Sequence, residues 1–278
     1  MPIVVNTNVN SLLVQRSLSS ATVGIGKSLE RLSTGLKINS AADDAAGLTI
    51  SEKLKAQERG YATAQDNAQN GINMLQTAEG DLSTIQDNLQ RMRDLAVTAA
   101  NDTNGADERT AIKAEIDERV AEITKIASGS KFNGIALLDG TQDAAGTIKL
   151  QIGANTATND VLDISGAFTS ANAAGLAISA LTVDTNANAT TSITAIDTAI
   201  KTVSTQRSKI GSYVNSISSA IDSSSIRQAN LASAGSRIRD VDVAKEAAML
   251  TKNQILQQAS ATLLAQANAS PQVALSLI

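Results

Sequence analysis

Three short clusters in this 278-residue chain combine residue types that could do chemistry. GIGKS, Gly24 to Ser28, has the glycine, lysine and hydroxyl of a phosphate-cradling loop. That loop needs a further glycine five residues before Gly26, where Ala21 stands, and a strand-to-helix turn that exposes its amides. The cluster instead lies inside a run of helical spacing, so no nucleotide site is predicted. SGSK, Ser128 to Lys131, has the spacing of an acylating Ser and Lys, and Asp43 with Asp44 is a paired carboxylate. Neither has a supporting third group. A turn accounts for the first, and a helix N-terminus, where acids complement the dipole, accounts for the second. The chain has no His and no Cys. Their absence removes thiolate nucleophiles, disulfides, the usual zinc sites and Ser-His-Asp triads together, along with the side chain that titrates near neutral pH. No catalytic residue, metal ligand or cofactor is predicted, and the chain is read as not an enzyme. Asn101, Asn188 and Asn268 begin Asn-x-Ser/Thr sequons of the kind expected by chance.

The elements that would position any site are constrained by composition. A formal net charge of -4 gives no global attraction to nucleic acid. The aromatics are Tyr61, Phe132, Phe168 and Tyr213, so the core must be built from Leu, Ile, Val and Ala, which suits thin helical packing. Pro2 and Pro271 are the only prolines, and between them nothing breaks a helix. No run approaches the roughly 18 apolar residues of a membrane span, so no membrane insertion is expected. MPIVVNTNVNSLLVQRSL, at the start, lacks the basic and apolar regions of a Sec-type signal.

Helical periodicity dominates both halves. Val14, Leu18, Ala21, Ile25, Leu29, Leu32 and Leu36 recur at a mean step of about 3.67, a stripe that needs a partner. NSAADDAAG, Asn39 to Gly47, predicts a joint. A long heptad follows, with one seam of Leu54, Tyr61, Ala68, Leu75, Leu82, Leu89 and Ala96. The second seam is Ile50, Gln57, Ala64, Gly71, Ala78, Ile85, Met92 and Ala99. On this heptad Arg91 points out and Leu95 sits off the seam as an exposed leucine. A helix over 48–100 is roughly 80 Å long and must lie along other helices. NDTNGAD is a turn with Asp107 as N-cap, and Ile112, Ile116, Val120, Ile123 and Ala127 make the apolar face of a returning helix. IKLQIG and VLDIS predict short strands, and 170–191, rich in Ala, Thr and Asn, predicts a surface loop. Heptads return with Ile193, Ile200, Arg207, Val214 and Ile221 on one seam. Ile196, Val203, Ile210, Ile217, Ser224 and Leu231 form the other. A joint near Ala234 to Asp240 precedes a final helix with Met249, Leu256 and Leu263 at heptad spacing, ended by Pro271. The predicted fold class is mainly α: long antiparallel, coiled-coil-like helices, a small β-hairpin region, and paired termini. The predicted domains are 1–44 with 238–278, 45–140 with 190–237, and an outer β/loop segment 141–189.

ERLSTGLKINSAADDAAGLTISEKL, Glu30 to Leu54, resembles the N-terminal signature of bacterial flagellins. QRMRDLAVTAAN and FNGIALLDG resemble the next two flagellin blocks, and Ser236 to Ile278 resembles the C-terminal block. The resemblance covers roughly 1–140 and 190–278, with both ends matching in order. It implies a minimal flagellin without large outer domains: a secreted subunit, exported unfolded by the flagellar type III route, that polymerises into the filament. The partners implied are copies of itself, an export chaperone, cap and hook-junction proteins, and a host Toll-like receptor. The receptor-contact positions of the family match Arg91, Leu95 and Glu115, with Asp94 replacing the family's usual Glu. The polymerisation stripe is expected at Leu18, Ile25, Leu29, Leu32, Leu36, Met249, Leu256 and Leu263, the C-terminal three partnering the rest within the chain. The chain departs from the family in ending LSLI rather than LSLL with a basic residue. Rival readings are a hook–filament junction protein with the same end architecture, an enzyme insert in 141–190, and a coiled-coil adhesin.

Overall fold

The computed structural model describes residues 7–141 and 148–275. It divides into two compact units, Met1–Ala56 with Asn230–Ile278, and Gln57–Ala229.

In the first unit, α1 (Val9–Thr34) starts at the N-cap Asn8, whose side chain accepts from Ser11 N, and stops at Gly35 in the left-handed conformation. The predicted joint is a short bridged crossing. Leu36 pairs with Asp240, Lys37 N donates to Arg239 O at 2.6 Å, and Val241 N donates to Gly35 O at 3.0 Å. Ile38 is buried beneath it, and Gly47 is the residue that admits it: a Cβ there would lie 2.8 Å from Ile38 Cδ1. Asp43 accepts from the amides of Asn39 and Ser40, and Asp44 accepts from Gly47 N at 2.9 Å at the start of α2 (Ala45–Ala99). The paired carboxylates therefore shape a turn and begin a helix. The helix leading to the second predicted joint, α4 (Asn186–Arg239), runs through Ala234 to Arg239, so the break falls at 240–242. α5 (Val243–Leu275) continues past Pro271, contrary to the expected stop. A proline withholds one N–H from the carbonyl four residues back, and that carbonyl, Ala267 O, accepts from Asn8 Nδ2 at 2.8 Å instead.

In the second unit the heptads bury as spaced. Leu75, Leu82, Leu89 and Ala96 of one α2 seam and Ala78, Ile85, Met92 and Ala99 of the other are all completely buried. α3 (Ala106–Gly129) adds Ile116, Ile123 and Ala127, and α4 adds Ile196, Val203, Ile210 and Ile217. The N-cap of α3 is Gly105, so Asp107 falls in the first turn rather than at the cap. Arg207 occupies a heptad position yet pairs with Glu79 at 2.6 Å and donates to Gln86 Oε1 at 2.7 Å, so a charge sits on the seam only with its partners. Two antiparallel hairpins complete the unit. β1 (Lys131–Phe132) and β2 (Ile135–Ala136) flank Asn133-Gly134, both at positive φ, the pair that a tight hairpin turn requires. β3 (Lys149–Gln151) pairs with β4 (Val161–Asp163), with Leu150 opposite Leu162.

The 170–191 segment is not the expected surface loop. Ala171, Leu176, Ile178 and Val183 are buried, and from Asn186 the chain is helical. Its apolar residues follow neither helical nor strand period, so the sequence pattern hid them, but their transfer from water favours burial all the same. Gln206 on α4 holds the segment by donating to Ala167 O and Thr169 O, and Ser192 Oγ donates to Thr182 O at 2.7 Å.

Candidate functional site

α1 and α5 pack antiparallel along their lengths, from Asn8 beside Ala267 to Ser28 beside Glu246. The face of α1 turned to its partner carries Val14, Leu18, Ala21, Ile25, Ser28 and Leu32, a regular three-four alternation, all buried or half-buried. Leu36 beyond the helix is half-buried too. Leu29, expected on this stripe, is 53% exposed, because the alternation passes through Ser28 instead.

The partner face of α5 departs further from expectation. It consists of Glu246, Leu250, Asn253, Gln257, Ser260, Leu264 and Ala267. Met249, Leu256 and Leu263 lie one residue off that seam, about 100° around the helix, and are 46%, 45% and 53% exposed. They do not partner the α1 stripe within the chain. The intrachain seam is instead mixed: Val14, Leu18, Ile25, Leu32, Leu250 and Leu264 are half-buried in it, and polar contacts run between them. Ser28 Oγ donates to Glu246 Oε1 at 2.6 Å, Arg31 lies 3.6 Å from the other carboxylate oxygen, Gln257 Nε2 donates to Thr22 Oγ1, and Ser11 Oγ donates to Asn268. Gly24 makes room for Asn253, since a Cβ there would stand 2.6 Å from its amide nitrogen.

Further apolar side chains of both helices face solvent. Val9, Leu12, Leu13 and Val23 on α1, and Val243 and Ile255 on α5, are all more than half exposed. Scattered singly such residues need no explanation; this many on one pair of helices, with Met249, Leu256 and Leu263 on one side of α5, mark a surface awaiting a partner. The GIGKS cluster lies within α1, with no loop to cradle phosphate.

The second candidate surface is on α2 and α3. Arg91 Nε and a terminal nitrogen both donate to Glu115 Oε1, at 3.1 and 3.0 Å, and both side chains remain accessible. Leu95 does not join them at the surface. It is 7% exposed and belongs to the core, correcting the reading of it as an exposed leucine. Among the described residues no group of three or more acidic side chains is placed to hold a metal ion, and no helix is long and apolar enough to cross a membrane.

Comparison with known proteins matches residues 5–143 to the bacterial flagellin N-terminal helical region and residues 193–278 to the bacterial flagellin C-terminal helical region. A flagellin of Halalkalibacterium halodurans is 42% identical over 99% of both chains. A flagellin of Bacillus subtilis is 40% identical, again over 99% of both. Among solved structures, a Vibrio parahaemolyticus flagellar protein of the hook-associated class covers 71% of this chain and 100% of its own, with a TM-score of 0.58 at 17% identity, a likeness of fold alone.

Proposed function

The chain belongs to the bacterial flagellin family, and from that premise we propose how its geometry serves as a filament subunit. It is a structural component of the bacterial flagellar filament, secreted to the cell exterior, in a family that assembles with itself. The observation that carries the mechanism is the pair of outward apolar faces on α1 and α5. Other copies of the chain cover them, each buried Leu, Ile or Met contributing roughly 1.5–3 kcal/mol before ordering costs. Assembly and ordering of the ends are one process, since two amphipathic helices joined by a mixed, half-buried seam form a marginal pair alone. Repeated head-to-tail contact that does not close yields an open helical filament.

The subunit travels unfolded through the flagellar type III channel, with a chaperone shielding the α5 face and a cap protein guiding assembly. The absence of Cys and of interior proline suits rapid refolding after export. Hook-junction proteins meet the first subunits, and a host Toll-like receptor meets the surface around Arg91 and Glu115. The chain performs no catalysis and binds no nucleic acid. The junction-protein reading is not favoured, because whole-length identity lies with filament flagellins. Electron microscopy of purified protein tests the mechanism: long uniform filaments are expected from the unaltered chain and none from Leu263→Asp. Normal filaments from that variant would overturn it.

A further inference from the structure

We propose that buried Glu246 is a register pin for the terminal helix pair, aligning α1 with α5 so that their outward apolar faces match a second copy of the chain. The proposal rests on the assembly reading above. Among the described residues the fully buried positions between these helices are Ala21, Ser28, Glu246 and Ser260. Three of the four are polar, and the apolar residues around them, Val14, Leu18, Ile25, Leu32, Leu250 and Leu264, are only half-buried and recur at the same spacing. Both helices repeat on a three-four spacing, and a slip of one heptad would bring a similar mixture of side chains together. The Leu36–Asp240 bridge tethers one end of the pair, and within the helices a buried carboxylate breaks that degeneracy. Glu246 is 8% exposed and meets Ser28 Oγ at 2.6 Å and the Arg31 guanidinium at 3.6 Å. A slip of one heptad toward either end would leave the carboxylate without these partners, a severe cost in a desolvated seam. A single buried polar residue fixes register in coiled coils in this way, at some expense in stability. Asn8 supplies the far end: its Nδ2 takes the Ala267 carbonyl that Pro271 leaves free, a bond that no slipped alignment can replace at that position.

Because the chain has no cysteine, disulfide trapping reads register directly. Thr22→Cys with Gln257→Cys joins two residues in contact at 3.3 Å, while Thr22→Cys with Leu264→Cys or Leu250→Cys reports a slip of one heptad. In the otherwise unaltered full chain the native pair should cross-link about tenfold or more faster than either slipped pair. Adding Glu246→Leu should bring native and slipped rates within severalfold of one another and lower filament yield. Adding Glu246→Gln, which keeps an acceptor for Ser28, should preserve the native preference. An unchanged native preference in Glu246→Leu overturns the proposal. So does loss of all cross-links, which would mean that Glu246 holds the pair together rather than aligning it. Slipped pairs that assemble in normal yield would overturn the link to assembly. Leu263→Asp keeps the two readings apart: it should abolish filaments while leaving the cross-linking pattern intact, and normal filaments from it would sink the assembly reading without touching the pin.

Discussion

Asp43, Asp139, Asp163 and Asp184 share a device: each carboxylate caps the turn that follows or precedes it. Ser40 amide and hydroxyl hold Asp43 below the ordinary carboxylate range, and the Thr141 hydroxyl and amide do so for Asp139. The Ser165 hydroxyl acts on Asp163 and the Asn188 side chain on Asp184. A carboxylate whose folded pKa is depressed contributes stability above its unfolded value, near about 3.9, and loses it as pH falls through the folded value. Urea midpoints should therefore be flat from neutral pH to about 5 and drop below about 4. Asp163→Asn should be less stable than the parent at neutral pH, with the gap closing in acid. At the proposed receptor surface the three family positions separate by burial. Arg91→Ala removes one side of an accessible ion pair and should change stability by less than about 1 kcal/mol while lowering receptor signalling in a reporter assay. Leu95→Ala empties a core position and should cost about 2–5 kcal/mol by urea unfolding, so any signalling loss it causes reports on the fold. Full signalling by an Arg91→Ala, Glu115→Ala double variant would remove this surface from the receptor site.

Among the elements, α2 decides where the β hairpins can rest. Gly71 lies against Leu150 of β3, where a side chain would collide with the leucine, and Gly60 leaves room for Ala154, 2.9 Å from a Cβ built there. Gly71→Val should push the β3–β4 hairpin off the helix and destabilise the unit by about 1–3 kcal/mol, whereas Gly80→Ala, in open space, should stabilise α2 by up to about 1 kcal/mol; thermal unfolding of the two variants checks the contrast. Insertion tolerance divides along the same lines. A short epitope at 155–158, where every residue is exposed, should leave the fold intact, while one at 176–178 would displace buried Leu176 and Ile178. Limited proteolysis of the two insertion chains distinguishes them. The heptad positions of α2 and α4 were legible because a seven-residue spacing sustained over dozens of residues has only one buried solution. The β1–β2 hairpin had a readable signal in its Asn-Gly pair, but strands of two residues are too short to show alternation. The buried course of 164–183 had none, since irregular segments have no period to read.

For the whole molecule, the two units differ in what holds them. The unit Gln57–Ala229 encloses a continuous core from Ala68 to Ile217, while the pair α1 and α5 encloses a mixed seam whose apolar residues, Ala21 apart, are only half-buried. Deleting Leu256 to Ile278 should thus abolish assembly yet leave the Gln57–Ala229 unit folded, seen as an unchanged protease-resistant fragment without filaments. Amides of residues 9–34 and 243–269 should exchange rapidly in the free subunit and become strongly protected on polymerisation. Equal protection in both states would show that assembly does not complete the folding of the ends.

The five long helices among the described residues, the heptad seams within Gln57–Ala229, the hairpin strands β3 and β4, and the family itself were determined by the sequence. Periodic burial and contiguous motifs are local properties written along one strand of text. The stripe Leu18, Ile25, Leu32 and Leu36 was visible for the same reason. Only the tertiary structure decided which way the α5 stripe faces. Periodicity says that Met249, Leu256 and Leu263 share a face, but the rotation of a helix about its axis is set by its neighbour, and here Glu246, Asn253 and Gln257 find hydrogen-bonding and close-packing partners on α1 while those three stay about half exposed. Leu95 followed the same rule in reverse: one position off an ideal seam, it is still buried in the core. Rotation, register and enclosure depend on pairs of residues far apart in the chain, and those pairings exist only once it has folded.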